Sequence, residues 1–215
     1  VKYPKIQSVW MRDPTTNHKT FLDEYARPEF WALRGLRWIA EEKIDGTNVR
    51  VMPWPTASGP AVEFRGRTDN AQLPPFLLDM LRERLDPATL SSVPGIEMGE
   101  CVLYGEGYGA RIQKGGGGYK EDGVGFCLFD VLQRGRWMHR EKVYAIADAL
   151  GVPHAPPLGR MTLAGAAVLC ADGFPSGLPG AQRQAEGVVL RPSVELRDQH
   201  GERVIAKLKI RDFRS

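Results

Sequence analysis

Apolar and polar residues alternate over two short stretches early in the chain, Trp38-Ile39-Ala40 and Asn48-Val49-Arg50-Val51-Met52, and a period of two marks each as a strand. The segment between them places Lys43 at a strand end. A proline and glycine loop is expected over 53–60, followed by a strand at Ala61-Val62-Glu63-Phe64 that leads into Arg65-Gly66-Arg67-Thr68-Asp69. From Pro74 to Leu85 the period lengthens, with Leu77, Leu78, Leu81 and Leu85 at helical spacing and proline at the start. A strand over 97–104 enters Gly105-Glu106-Gly107-Tyr108-Gly109, and the glycine run 115–118 reads as a mobile hairpin or lid beside a site.

The second half repeats the mixture. Val124 to Leu132 alternates as a strand, and His139 to Leu150 is an amphipathic helix with Val143, Ile146, Ala147 and Leu150 on one face, closed by Gly151. Thr162 caps a further helix to Ala171, and the glycine and proline of 172–181 mark a surface loop. Two strands, Glu186 to Arg191 and Val204 to Ile210, enclose a polar turn at 197–201. The first forty residues mix Tyr3, Trp10, Phe21, Tyr25, Phe30 and Trp31 with Pro4, Pro14 and Pro28, as short elements wrapped on a core would. The sum is an α+β domain with hairpin-like neighbours rather than alternating βαβ units.

Composition narrows the class only slightly. With 42% hydrophobic and 26% charged residues the 215-residue chain is globular over most of its length and is expected to form one domain, 1–215. The net charge of +3 permits nucleic acid as a partner without requiring it, and the basic residues of 1–37 and 203–214 form a candidate backbone-binding face. Three cysteines, Cys101, Cys127 and Cys170, have no pairing or zinc spacing and are expected to be reduced and mostly buried. The four histidines show no ligand spacing either. No apolar run reaches the ~18 residues of a membrane span and no signal-peptide core opens the chain, so a soluble, cytoplasmic protein without a membrane partner is expected.

The side chains at strand ends suit phosphoryl transfer if they converge: Lys43, Arg67, Glu106, Glu186, Lys207 and Lys209, with Phe129 on a strand. A lysine amine attacks phosphorus only when neutral, and neighbouring cations such as Lys207, Lys209 and a metal ion would lower its pKa from the ~10.4 of a free side chain. Carboxylates facing a triphosphate repel it unless a divalent cation lies between them. Asp45, Glu106 and Glu186 therefore point to Mg²⁺ held partly through water.

Six segments now stand in one order: Lys43-Ile44-Asp45-Gly46-Thr47-Asn48, Arg65-Gly66-Arg67-Thr68, Tyr104-Gly105-Glu106-Gly107, Phe126-Cys127-Leu128-Phe129-Asp130, Glu186-Gly187-Val188-Val189 and Lys207-Leu208-Lys209. Together they resemble the nucleotidyltransferase motifs of ATP-dependent RNA ligases, and Trp38 to Lys43 with the 109–114 segment resembles the nick-sealing branch. Asp45 is the residue usual across the wider superfamily, where some nick-sealing relatives carry histidine. The resemblance implies a nucleotidyltransferase (adenylyltransferase) domain of two antiparallel sheets flanked by helices, an ATP-grasp-like ligase core, with no OB or C-terminal accessory domain in this chain. A partner subunit or a separate domain would then assist the nucleic-acid grip.

The same resemblance implies ATP, Mg²⁺ or Mn²⁺, and nicked or broken RNA with 5'-phosphate and 3'-hydroxyl ends. It makes Lys43 the nucleophile that becomes Lys-AMP, before AMP passes to the 5'-phosphate and is displaced by the 3'-hydroxyl. Glu42 would lie beside the adenine, Ile44 would belong to the cofactor site, Phe129 would stack on the base, and Asn48 and Arg67 would hold ribose or phosphate oxygens. Glu106 would contact ribose or metal waters, Glu186 would orient the metal with Asp45, and Lys207 and Lys209 would grip the α-phosphate. Phe126 is also aromatic on the Phe129 strand, and a period of two allows only one of them to stack. A DNA ligase, a capping-type guanylyltransferase, which favours arginine where Asn48 stands, and a catalytically idle RNA-binding fold are the alternatives.

Overall fold

The computed structural model of the chain describes residues 1–213, so Arg214 of the basic stretch 203–214 lies outside the described residues. In chain order the elements are β1 (Gln7–Ser8), β2 (Trp10–Arg12), β3 (Phe21–Tyr25), α1 (Pro28–Ala32), β4 (Trp38–Lys43), β5 (Thr47–Thr56), β6 (Gly59–Arg65), α2 (Pro75–Arg84) and α3 (Pro87–Ser92). There follow β7 (Cys101–Gly109), β8 (Val124–Gln133), β9 (Arg136–Trp137), α4 (Arg140–Ala149), β10 (Pro157–Met161), α5 (Leu163–Asp172), β11 (Gly187–Arg191) and β12 (Ala206–Lys209). Two five-stranded sheets and a two-stranded ribbon carry the expected α+β architecture. The chain divides into two units, one made of Val1–Tyr3, Asp45–Ala155 and Leu178–Ala181, the other of Pro4–Ile44, Pro156–Gly177 and the chain from Gln182 on.

In the first unit the strands run β6-β5-β7-β8-β9, every pair antiparallel. Val49, Val51, Leu103, Leu128 and Val131 alternate onto one face, where Leu77 and Leu81 of α2 and Val143, Ile146 and Ala147 of α4 cover them. Each such side chain contributes about 1.5–3 kcal/mol when fully withdrawn from water. The helices fall where the periodicity put them. The short α3 was not anticipated, although its signal is local: Asp86 accepts from the Ala88 and Thr89 N–H groups, with Pro87 at the first helical position.

The loop expected over 53–60 shrinks to a turn at Ala57 and Ser58, and the rest is strand, because β5 and β6 form a long hairpin with Pro53, Pro55 and Pro60 inside it. Proline removes a ladder donor, which a central strand does not tolerate. Here β7 pairs with β5 only as far as Val51, so the prolines of β5 have a neighbour on one side, and Pro60 lies on the sheet edge. Strand β7 likewise runs on through the glycine segment. A Cβ at Gly105 would stand 2.2 Å from the Phe126 ring, and one at Gly107 would stand 2.6 Å from Leu77. The missing side chains let the core close against the strand while Glu106 keeps the opposite face.

In the second unit the order is β1-β12-β11-β4-β10, antiparallel except for β1 beside β12, with β2 and β3 as the ribbon. Thr162 caps α5 by accepting from the Gly165 N–H, as the sequence suggested. That helix buries Leu163, Ala166 and Cys170 against Trp38, Ala40, Val188, Leu190, Ala206 and Leu208. The opposite face of the sheet holds a buried ion pair, Glu41 with Arg191 at 2.8 Å. Removing one partner strands the other in low dielectric, so Arg191→Met alone is expected to cost about 3–5 kcal/mol in urea unfolding, and Glu41→Leu with Arg191→Met markedly less.

All three cysteines are buried thiols, as expected, and burial pushes the Cys101 and Cys170 thiols up to about 12. Among the described residues no helix is long and apolar enough to cross a membrane.

Candidate active site

In the second unit, strand register decides which charged groups meet. Gly187 of β11 pairs with Lys43 of β4 on one side and with Lys209 of β12 on the other, while Val189 pairs with Glu41 and Lys207. Val188, Leu190, Ala206 and Leu208 occupy the core face, so Lys43, Lys207 and Lys209 share the other. Glu186 stands one residue before β11 and accepts from both outer strands: Lys43 Nζ donates to Oε2 at 2.5 Å, and Lys209 Nζ lies 2.5 Å from Oε1. Burial alone would raise the Glu186 carboxyl, but the two ammonium groups outweigh it and hold the group below the usual glutamate range.

Glu42 lies on the other face of β4, opposite Val188, and is 2% exposed. Its N–H donates to the Pro156 carbonyl at 2.8 Å, and its Oε2 accepts from the Gly177 N–H at 2.7 Å. Oε1 is buried with no hydrogen-bond partner. Desolvation raises the Glu42 pKa above the ordinary value, opposed by the Ser176 hydroxyl, the Gly177 N–H and Arg183. A buried, unsatisfied acceptor of this kind is the feature a bound donor group would complete.

The first unit presents its polar residues on the sheet face away from its helices. Asn48 of β5 pairs with Glu106 of β7, and Arg50 pairs with Tyr104. Asn48 Oδ1 is buried without a hydrogen-bond partner, a second acceptor awaiting a donor. At the start of this unit the Asp45 N–H donates to Tyr119 Oη at 3.0 Å and Gln113 Nε2 donates to the Gly46 carbonyl at 3.0 Å. Gly46 is required by close approach, since a Cβ there would stand 2.2 Å from the Gly107 carbonyl oxygen and 2.8 Å from Glu106 Cγ.

A β-bulge falls at Phe129. Tyr104 pairs with Asp130 and Gly105 with Leu128, leaving Phe129 as the extra residue of β8. Phe126, Leu128 and Val131 all stay in the core, and Phe129 is half-buried on the other side with Asp130. The ring is backed by Tyr3, edge-on at 5.0 Å, which also packs on Tyr104 and Trp137. Tyr3 Oη donates to Asp130 Oδ2 at 2.8 Å, and Arg140 donates to Asp130 Oδ1 at 3.2 Å and to the Phe129 carbonyl at 2.6 Å.

Arg67 is exposed on the loop after β6, and that loop is tied down by a residue the sequence did not single out. Arg50, 2% exposed, donates from Nε to the Gly66 carbonyl at 2.8 Å and from a terminal nitrogen to Asp69 Oδ1 at 2.9 Å. The hydrogen bond from Arg50 holds Asp69 below the usual carboxylate range. An arginine at a polar position of a strand gives no local sign of such a role. Nor did Tyr3, 127 residues from Asp130. Of the candidates, Lys43, Lys207, Lys209 and Glu186 gather in the second unit with Glu42 and Ile44, and Asp45, Asn48, Arg67, Glu106 and Phe129 belong to the first. Among the described residues no three His, Cys, Asp or Glu side chains are gathered as a metal cage.

The family model for RNA ligase matches residues 36–209 of the chain. Among solved structures, a mutant Naegleria gruberi RNA ligase with AMP and manganese is 17% identical, with a TM-score of 0.62 over 98% of this chain and 55% of that one. Another mutant of that enzyme, with ATP and manganese, gives 17% identity, a TM-score of 0.63 and coverage of 97% and 56%. The same ligase with pyrophosphate gives 18%, 0.60, 96% and 61%. The chain thus spans little more than half the length of these structures. No curated protein matches it.

Proposed function

The chain belongs to the RNA ligase family, and we propose that it is an ATP-dependent ligase joining 5'-phosphate and 3'-hydroxyl ends of RNA through a Lys43-AMP intermediate. The observation that carries the reading is Glu186 seated between Lys43 and Lys209, with Lys207 on the same sheet face. One lysine is there to attack and two to balance phosphate charge. In the first transfer the Lys43 Nζ lone pair forms a bond to the α-phosphorus of ATP, the bond to pyrophosphate breaks, and the amine gives up its proton. A 5'-phosphate oxygen then displaces Lys43 from the phosphorus, and finally the 3'-hydroxyl attacks the activated 5'-phosphorus and releases AMP.

The residue roles are those the family resemblance implies. In the second unit Lys207 and Lys209 hold the α-phosphate, Ile44 belongs to the cofactor site and Glu42 supplies its unpartnered buried oxygen to the nucleotide. In the first unit Phe129 stacks on adenine, and Asn48, Arg67 and Glu106 hold ribose or phosphate oxygens. The N. gruberi structures with ATP, AMP and manganese support ATP and a divalent cation as the ligands. The donors fit a hard ion such as Mg²⁺ or Mn²⁺, since Asp45, Glu106 and Glu186 offer only carboxylate oxygen. Such an ion would neutralise the charge that develops on the phosphate oxygens.

Incubation with Mg²⁺ and α-labelled ATP should leave label that stays with the denatured protein and is released by acid but not by alkali, as a lysine–phosphorus bond requires. Label from GTP alone would mean capping chemistry, and no label from either would mean a binding protein. Nicked duplexes of RNA, DNA and hybrid strands then identify the polymer. Phe129→Ala is expected to raise KM for ATP by roughly 5- to 100-fold, the value of one lost base stack. Phe126→Ala should instead lower stability by about 3–5 kcal/mol in urea unfolding, because that ring is in the core.

A further inference from the structure

Resting on the ligase reading above, we propose that the loop 110–120 is the part of the first unit that grips the sugar-phosphate backbone of the RNA strand beside the joint. It carries Arg111, Lys114 and Lys120, all exposed, and no acidic residue before Glu121 and Asp122. The loop is folded tightly on its base, with the Ala110 N–H on the Gly123 carbonyl and Gly116 so close to Gly109 that a Cβ would lie 2.1 Å from its carbonyl oxygen. Arg111 is held in the left-handed region at φ 66°, uncommon for a residue with a side chain, and its guanidinium stacks 4.7 Å from the Phe76 ring centroid. Lys120 Nζ spends one donor on the Val124 carbonyl at 3.2 Å and keeps the others.

The position of this charge makes it more than a solvated surface. Gln113 and Tyr119, at the two sides of the glycine run, are hydrogen-bonded to Gly46 and Asp45. Only two residues, Ile44 and Asp45, separate Lys43 from Gly46, a reach of at most about 11 Å even when extended. A strand whose 5'-phosphate must come to the Lys43 amine therefore passes near a loop whose charges are all cationic and whose glycines let backbone approach a phosphate. Arginine and lysine presented this way bind by charge and counterion release, without reading sequence. The loop that looked like a lid in the sequence is on this reading an anchored clamp.

The test is fluorescence anisotropy of a labelled nicked RNA duplex with a 5'-phosphate, titrated with the wild type and with R111Q/K114Q/K120Q across a range of KCl concentrations, the melting temperature of each protein serving as the fold control. The triple variant is expected to bind at least about tenfold more weakly at low salt, with a log-log salt slope shallower by roughly 2 to 3, and K114Q alone to lose about one unit of slope. An unchanged slope and affinity in a folded triple variant overturns the proposal. AMP labelling of the wild type from ATP is measured in parallel. If the wild type takes label and binds RNA while the variant matches it, the clamp fails and the ligase reading stands. If the wild type neither takes label nor binds RNA, the ligase reading fails and the clamp with it.

Discussion

Lys43→Arg should abolish covalent AMP labelling, by at least about a thousandfold, while leaving a folded protein. The substitution keeps a cation facing Glu186, so the ion pair that orders the end of β4 survives. What it removes is the nucleophile, because a guanidinium does not give up its proton at any pH the protein withstands. The loss is thus of chemistry rather than of charge, which Lys43→Met would confuse. A second measurement separates the steps. Sealing of a nick whose 5'-phosphate already carries AMP does not require Lys43 to attack anything, so K43R should retain activity on that substrate. Persistent ATP-dependent label on K43R would place the nucleophile elsewhere and end the Lys43-AMP reading.

The second large effect is expected at Glu186. Glu186→Gln keeps the shape but leaves Lys43 and Lys209 without the carboxylate that each approaches at 2.5 Å. Two charge-assisted contacts, worth about 1.5–3 kcal/mol each, are weakened together, so the labelling rate should fall by roughly 10²- to 10⁴-fold. The same residue sets an acid dependence. Its folded pKa lies below the ordinary 4.5 because the two amines outweigh its burial, so its contribution to stability is complete above about pH 4.5 and is lost as pH falls through the lower folded value. Thermal unfolding from pH 7 down to pH 3 should show a loss in the wild type that is smaller in E186Q. Parallel acid profiles would mean that Glu186 is not held by the lysines.

Much of this was legible in the sequence wherever a feature depends on neighbours in the chain. The leucines of α2 and the apolar face of α4 were set by helical period, and the Thr162 cap by a single hydroxyl before an apolar run. The order of lysine, arginine, glutamate and phenylalanine segments was visible because each is a short contiguous string. The hairpin of β5 and β6 was misread because proline signals a loop locally, and only the absence of a second neighbour beyond Val51 makes the strand tolerable. Arg50 and Tyr3 were passed over for the same reason in reverse. Their roles exist only through groups that the fold brings to them.

The sequence by itself determined which reactive groups the chain possesses, their order, and the helices and most of the strands that carry them, since local sterics and side-chain period act within a few residues. Tertiary structure alone decided that Phe126 rather than Phe129 packs in the core, because Phe126 shares a face with Leu128, and one unpaired residue in the β7–β8 ladder then returns Val131 to that same face. It also decided that Lys43 and Lys209 share Glu186, 143 residues along the chain from Lys43, because pairing register is fixed by which faces the two flanking strands must bury.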